Sequence, residues 1–394
     1  MSPQLPTRIR AIQAPVVPII AGLIAEHPGT ISLGQGVVHY GPPAEAAQVF
    51  TSFMDEPRNH LYTPDWGMAP LVSALTEKLR ADNGIDMSGK SVVVTAGANM
   101  GFLNSMLAIT DPGDEVIILA PYYFNHEMAI RLAGCTPIIV STTVDLTPDL
   151  KAIEAAIGPR TRAVVTVSPN NPTGVTYPPA TLSAVNALCG SARIFHISDE
   201  AYEYFVYDDA RHHSPASDSA SAEHTVSLFS LSKSYGFAGW RVGYMVVPDA
   251  LFEPVMKVQD TNVICAPVIS QHAALTCLQA GREYSAGFMP ELVEVRGLVL
   301  AALEGLGNLV TVPAANGAFY VYLRVNADLD AFELARRLIV EHQVAVIPGT
   351  AFGSHDGCYL RVSYGALKKQ AVNEGIGRLV DGLARIGSAR LIPD

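Results

Sequence analysis

One feature of the chain limits its fold more than any other: a regular alternation of short apolar runs with helix-patterned segments. The runs are Val92–Thr95, Val116–Leu119, Pro137–Val140, Ala163–Val167, Ile194–Ile197, Val226–Phe229 and Val242–Val247. Several are apolar throughout, as expected of strands buried on both faces. Helical patterns lie between many of them, at about Met100–Ile109, Pro148–Ile157 and Ala180–Leu188. This βα alternation predicts an α/β fold, a mostly parallel seven-stranded sheet flanked by helices. After about residue 285 the pattern changes. A long helix is expected over Tyr284–Leu306, followed by strands Phe319–Val325, Val344–Ile347 and Tyr359–Val362, a helix at Ala331–His342 and another after Leu367. These predict a smaller α+β domain. The expected division is residues 1–40 as an N-terminal segment packing with the small domain, 41–284 as the large domain and 285–394 as the small one.

Such a two-domain reading suits 394 residues, and 49 % apolar content is enough to bury a large core. A net charge of −11 argues against nucleic-acid and anionic-membrane partners, which need clustered Lys and Arg. No stretch of about 18 apolar residues is present, so no transmembrane helix is expected. Met1–Pro18 has no signal-peptide pattern. The five cysteines are scattered, with no CxxC pair, and read as reduced core thiols of a cytoplasmic protein. The Ser/Ala-rich segment His212–His224 reads as a surface loop. No metal site is expected.

The chemistry is concentrated in Ser230-Leu231-Ser232-Lys233-Ser234-Tyr235-Gly236, followed by Gly239-Trp240-Arg241-Val242-Gly243. Alone, a Lys in a Ser-rich turn reads as a solvated surface residue. A Lys after a β-run, flanked by hydroxyls and followed by Arg, also suits an aldehyde cofactor bearing a phosphate: the amine makes the Schiff base, and the hydroxyls and guanidinium bind phosphate oxygens. Upstream, Asp199 and Tyr202 follow the β-run Ile194–Ile197. An Asp there is commonly a helix N-cap, but a pyridinium electron sink needs such a carboxylate, and Tyr202 can reach a phenolic oxygen on the same ring. Asn171, in a Pro-rich turn after another strand, can bond that oxygen too. The small residues of Thr95-Ala96-Gly97-Ala98-Asn99 let backbone N–H groups at a helix N-terminus hold a phosphate. Tyr123, at the next strand end, can stack on the ring.

As an ordered set, NNPTG, SDEAY, SLSKSYG and GWRVG resemble the class I/II aminotransferases of fold type I, which use pyridoxal 5′-phosphate (PLP). The LGQG at Leu33–Gly36 and YLRVSYG near the end agree, so the resemblance spans nearly the whole chain. One departure is Ser168-Pro169 before Asn170-Asn171, where many members have Asn-Pro. The resemblance implies Lys233 as the Schiff-base lysine, Asp199 as the pyridinium partner, and Tyr202 and Asn171 as ring-oxygen ligands. It makes Tyr123 the stacking aromatic and Ala98, Asn99, Ser230, Ser232 and Arg241 the phosphate cup. Arg361 matches the arginine that grips the substrate α-carboxylate, and Gly36 lines the substrate pocket. Tyr62 matches a tyrosine reaching the phosphate from a neighbouring subunit, which implies a homodimer with shared sites.

A closer resemblance, in GQGVVHYGPP, VTAGAN, PYYFN and YEYFVYD, is to a subgroup acting on aromatic amino acids and methionine. The implied reaction is transfer of an α-amino group to a 2-oxo acid in two half-reactions, with Lys233 as general base. Aspartate transamination, β-elimination or carbon–sulfur cleavage, and a non-enzymatic PLP-sensing module are the competing readings. The expected pocket mouth is Val37, Val38, His39, Tyr40 and Tyr123, mostly apolar or aromatic.

Overall fold

The computed structural model describes residues 4–387. The outermost ends of the N-terminal and C-terminal segments expected above, residues 1–3 and 388–394, lie outside the described residues. All seven expected strands of the large sheet form: β1 Lys90–Thr95, β2 Glu115–Ala120, β3 Thr136–Ser141, β4 Thr161–Val167, β5 Phe195–Asp199, β6 Thr225–Ser230 and β7 Gly243–Pro248. Their order is β1-β7-β6-β5-β4-β2-β3. Strand β7 runs antiparallel to both neighbours, and every other pair is parallel. The apolar runs follow from burial: every residue of β6 and β7 is buried, whereas the edge strand β3 buries only Pro137 and Val140. Val92 and Val94 pack on Leu71, Leu75 and Leu79 of one helix, while Val93, between them, packs with Phe102 and Met106 on the opposite face.

A second sheet is antiparallel, in the order Ile347–Pro348, Cys358–Ser363, Tyr320–Val325, Val310–Thr311. Helices Met289–Glu304, Ala331–His342 and Lys369–Gly387 cover it. The helix at 331–342 begins where Asp330 accepts a hydrogen bond from the Glu333 N–H at 2.8 Å, the N-cap arrangement that its sequence favours. The N-terminal chain joins this layer: Ile31–Ser32 pairs in parallel with Val344–Ala345.

Three expectations change. Tyr284–Leu306 is two helices, Gly281–Ala286 and Met289–Glu304, because Pro290 lacks an N–H and is placed in a first turn. The run at 344–347 splits, its first half pairing with Ile31–Ser32 and its second with Leu360 and Arg361. The segment 212–224 is not wholly superficial: Ser214, Ala216 and Ser221 are buried. Ser214 Oγ donates to the buried Glu200 carboxylate, and the Pro215 carbonyl accepts from Asn186 Nδ2 at 3.1 Å, so the polar serines have partners inside. All five cysteines are free and buried. Among the described residues no helix is long and apolar enough to cross a membrane.

Candidate active site

The parallel strands deliver their carboxyl ends to one edge of the sheet, the place where open α/β sheets bind ligands. Asp199 ends β5 and Ser230 ends β6, while β4 leads directly into the turn bearing Asn171. These ends border a cavity of about 200 Å³, which Gly36, Ala98, Asn99, Tyr123, Asn171, Asp199, Tyr202, Ser230, Ser232, Lys233, Arg241 and Arg361 all line. Of the residues expected to hold the cofactor, Tyr62 does not line this chain's cavity; it is 77 % exposed.

One part of the cavity lining is built for an anion. Ala98 and Asn99 begin the helix Ala98–Ile109, whose first N–H groups have no partner within the helix. Gly97 caps it at φ +86°, and a Cβ there would strike the Arg241 guanidinium. Arg241 is held beside the cap by donating to the carbonyls of Ala238 (2.8 Å) and Ala96 (3.4 Å). Ser230 Oγ accepts from the Ser232 N–H at 3.1 Å, which starts the short turn that presents Lys233.

The Lys233 ammonium donates to the Gly36 carbonyl at 2.5 Å. Burial pushes its pKa down to about 8, helped by the charges of Arg361 and Arg241 and opposed by Asp199. Asp199 is itself tied down: one oxygen accepts from the Ala201 N–H at 3.1 Å, and the other lies 3.1 Å from His126 Nε2. His126 is buried, stacked on Phe102 with ring centroids 4.1 Å apart and edge-on to Tyr123 at 5.1 Å.

Arg361, which also lines the cavity, is buried on the strand Cys358–Ser363. It donates to Asn171 Oδ1 at 2.8 Å and to the Gly34 carbonyl at 2.7 Å, and its Nε has no partner among the described residues. Its guanidinium lies over the rings of Tyr320 (4.6 Å) and Phe352 (4.9 Å). The remaining Asn171 nitrogen contacts the Tyr202 hydroxyl at 3.4 Å. Burial raises Tyr202 well above the ordinary phenol range, so it stays a proton donor.

The expected pocket mouth needs correction. Val38 and Tyr40 are buried in the small-domain core, Tyr40 stacking on Phe288 at 3.8 Å, and His39 pairs with Glu291 at 3.4 Å. Their place on the cavity wall is taken by Val17, Phe124, Ala201 and Tyr320, none of which the sequence reading picked out. His126 was also missed. Its only signal is spacing: it lies three residues after Tyr123, one helical turn on.

A family model described as aminotransferase class I and II matches residues 28–379. The chain belongs to this family. It is 36 % identical over 391 residues to the aromatic aminotransferase ISS1 of Arabidopsis thaliana, covering 97 % of each chain. It is 34 % identical over 331 residues to an aspartate/prephenate aminotransferase of Thermus thermophilus, covering 82 % of this chain and 83 % of that one. Among solved structures, an aromatic aminotransferase from Pyrococcus horikoshii superposes with a TM-score of 0.85 at 30 % identity, covering 93 % of this chain and 99 % of that one. The protein is therefore a fold type I, PLP-dependent transaminase acting on amino acids and 2-oxo acids, in a family that is typically dimeric. The site fits the cofactor. It offers an anion cradle at a helix N-terminus, an amine, a buried carboxylate with its own histidine, and a phenol and an amide near one another.

Proposed function

We propose that Ala98, Asn99, Ser230, Ser232 and Arg241 hold the cofactor phosphate, that Asp199 pairs with its ring nitrogen, and that Tyr202 and Asn171 bond its ring oxygen. Tyr123 stacks on the ring, Lys233 carries it, and Arg361 and Gly36 receive the substrate. The observation that carries this reading is the meeting of the Lys233 amine and the Asp199 carboxylate in one cavity that the anion cradle and Arg361 also line. Bound PLP supplies the electron sink that lets an amino acid lose its Cα proton. Arg361 orients the substrate carboxylate through a two-pronged contact. Lys233 Nζ takes the Cα proton and returns it; with a pKa of about 8, roughly one amine in ten is neutral at pH 7, against about one in 3,000 for an ordinary lysine. Asp199 keeps a proton on the ring nitrogen, and His126 holds Asp199 in place. Borohydride reduction and peptide mapping test the assignment: the cofactor mass belongs on Lys233, and finding it on another lysine refutes the reading.

The amino donor we propose is an aromatic amino acid or methionine. Two things support this: the aromatic aminotransferases among the relatives, and the apolar wall of Val17, Phe124 and Ala201. Among the described residues, the only Lys or Arg side chains lining the cavity are Lys233, Arg241 and Arg361, all three already assigned. A second substrate carboxylate would be buried unpaired, at a cost of several kcal/mol. Phenylalanine and methionine should exceed aspartate at least tenfold in kcat/KM; aspartate as the best donor refutes the apolar-pocket argument.

The proposed division of the chain remains 1–40, 41–284 and 285–394. The core around the small sheet draws in Leu33, Val38 and Tyr40, whereas the cores around the large sheet draw on residues between 46 and 277. The proposed assembly is a homodimer in which Tyr62 reaches the partner's phosphate site, with no nucleic acid or membrane involved. Its support is a run of exposed apolar side chains close in sequence, Phe50, Met54, Leu61, Tyr62 and Trp66. A monomer fully active in sedimentation at assay concentration refutes it. Five unpaired thiols support a cytoplasmic location.

A further inference from the structure

Tyr320 has no role in the assignments above, yet it touches three of the residues that do. It is fully buried on the strand Tyr320–Val325 and lines the cavity. Its hydroxyl lies 2.6 Å from the Tyr202 hydroxyl. Its ring face carries the Arg361 guanidinium at 4.6 Å. A Cβ on Gly36 would fall inside the contact radius of its oxygen, so the glycine leaves room for that hydroxyl.

We propose that Tyr320 is a positioning residue that links the carboxylate grip to the ring-oxygen contact: its ring holds Arg361, and its hydroxyl donates to Tyr202. The inference rests on the roles given above to Arg361 and Tyr202.

The donor direction follows from counting protons. A phenol has one O–H and accepts at its oxygen. For Tyr202 to give its proton to a ring oxygen, its remaining contacts must all be donors. Asn171 Nδ2 is one, at 3.4 Å. The Tyr320 hydroxyl is the other, and Tyr202 is its only hydrogen-bond partner among the described residues. Burial raises Tyr320 to about 12, with Arg361 opposing the rise, and burial also raises Tyr202 well above the ordinary phenol range, so both phenols keep their protons at neutral pH. The result is a chain from Tyr320 to Tyr202 to the cofactor oxygen, and each donor in such a chain strengthens the next. A buried hydroxyl without a partner is costly, so Tyr320 gains from the contact as Tyr202 does. The ring plays a separate part. Arg361 lies over both Tyr320 and Phe352, which fixes the plane in which its fork meets a carboxylate.

The two parts separate experimentally in the PLP-loaded enzyme. The readouts are the pH midpoint at which the visible band of the bound cofactor changes, and KM for a good amino donor. The other titratable or charged groups lining this cavity are Tyr123, Asp199, Tyr202, Lys233, Arg241 and Arg361. A donor on the ring oxygen draws negative charge away from it and loosens its hold on the proton at the Lys233 nitrogen, so weakening the donor raises the midpoint. Tyr320→Phe should raise the midpoint by roughly 0.3 of a pH unit, about a twofold change in proton affinity, and leave KM within about twofold. Tyr320→Leu should raise the midpoint as much and also raise KM about five- to tenfold, as the guanidinium loses one ring face. An unmoved midpoint in Tyr320→Phe overturns the hydroxyl's role, and an unmoved KM in Tyr320→Leu overturns the ring's. Tyr202→Phe separates the two levels of the argument. If it moves the midpoint and Tyr320→Phe does not, the inference fails while the assignment of Tyr202 stands. If Tyr202→Phe moves nothing, the assignment falls and the inference falls with it. Melting temperatures of the PLP-free variants check that each is folded.

Discussion

Removing PLP leaves Lys233 as a free amine whose environment disfavours its charge, and this has a measurable cost. Burial is the main cause, with the charges of Arg361 and then Arg241 adding to it and Asp199 opposing. The fall from 10.5 to about 8 corresponds to about 3.4 kcal/mol of differential stability between the charged and neutral forms. Between pH 8 and 10.5 the unfolded chain holds this proton and the folded chain has released it. Stability from this group therefore rises with pH across that window, is penalised in full below pH 8, and carries no penalty above about 10.5. Replacing Lys233 by Met, which keeps the length and removes the charge, should stabilise the PLP-free protein by on the order of 2–3 kcal/mol at pH 7, allowing for the lost bond to the Gly36 carbonyl. The gain should shrink towards zero near pH 10.5. Denaturant unfolding of the two PLP-free proteins at several pH values gives that difference directly. Labelling with an amine reagent, mapped peptide by peptide, gives the Lys233 midpoint independently, and Arg361→Gln should move it upward. A Lys233→Met difference that is absent at pH 7, or that does not change with pH, refutes the argument that this lysine is buried at an electrostatic cost.

Other substitutions probe the remaining parts of the site. Arg361→Lys removes the planar fork, leaves Asn171 Oδ1 and the Gly34 carbonyl to share one shorter-reaching ammonium, and should lower kcat/KM about 100-fold or more for every amino donor, read by steady-state kinetics. His126→Leu deprives Asp199 of its 3.1 Å partner and should weaken PLP retention roughly 10- to 100-fold, measured by equilibrium dialysis, with little change in KM. Gly97→Ala places a side chain at φ +86° and against Arg241; PLP affinity should fall at least about tenfold, while the sheet stays folded by circular dichroism.

The large sheet was legible because burial on both faces writes itself into the sequence as uninterrupted apolar runs, and every one of the seven runs became a strand. The site was legible where a residue lies next to a strand end, since Asp199, Ser230 and Lys233 follow such runs directly. The small domain was read less well, because its pairings join segments far apart in the chain. Nothing local in Val344–Ile347 shows that half of it pairs with Ile31–Ser32. The break in the helix expected at 284–306 did have a local sign, Pro290, but a proline in the first turn of a helix and one inside a longer helix look alike until the start is known.

His126 and Tyr320, which the sequence did not reveal, share one property: each acts on the site through another side chain. His126 is 73 positions from Asp199, and Tyr320 is 118 from Tyr202. Each sits in a run that its core position already explains, one on an amphipathic helix turn and the other within an apolar strand, so the pattern has no residue left over to mark. What distinguishes them is a polar atom that burial leaves with a single good partner. The His126 Nε2 is aimed at Asp199 and the Tyr320 hydroxyl at Tyr202, and a buried polar atom keeps its partner because losing it costs about 1–3 kcal/mol. That cost makes each orientation specific, and it is a property of three-dimensional neighbours alone. A strand-end Asp or Lys advertises itself by position; the groups that aim it become visible only when hydrogen-bond partners are accounted for across the whole fold.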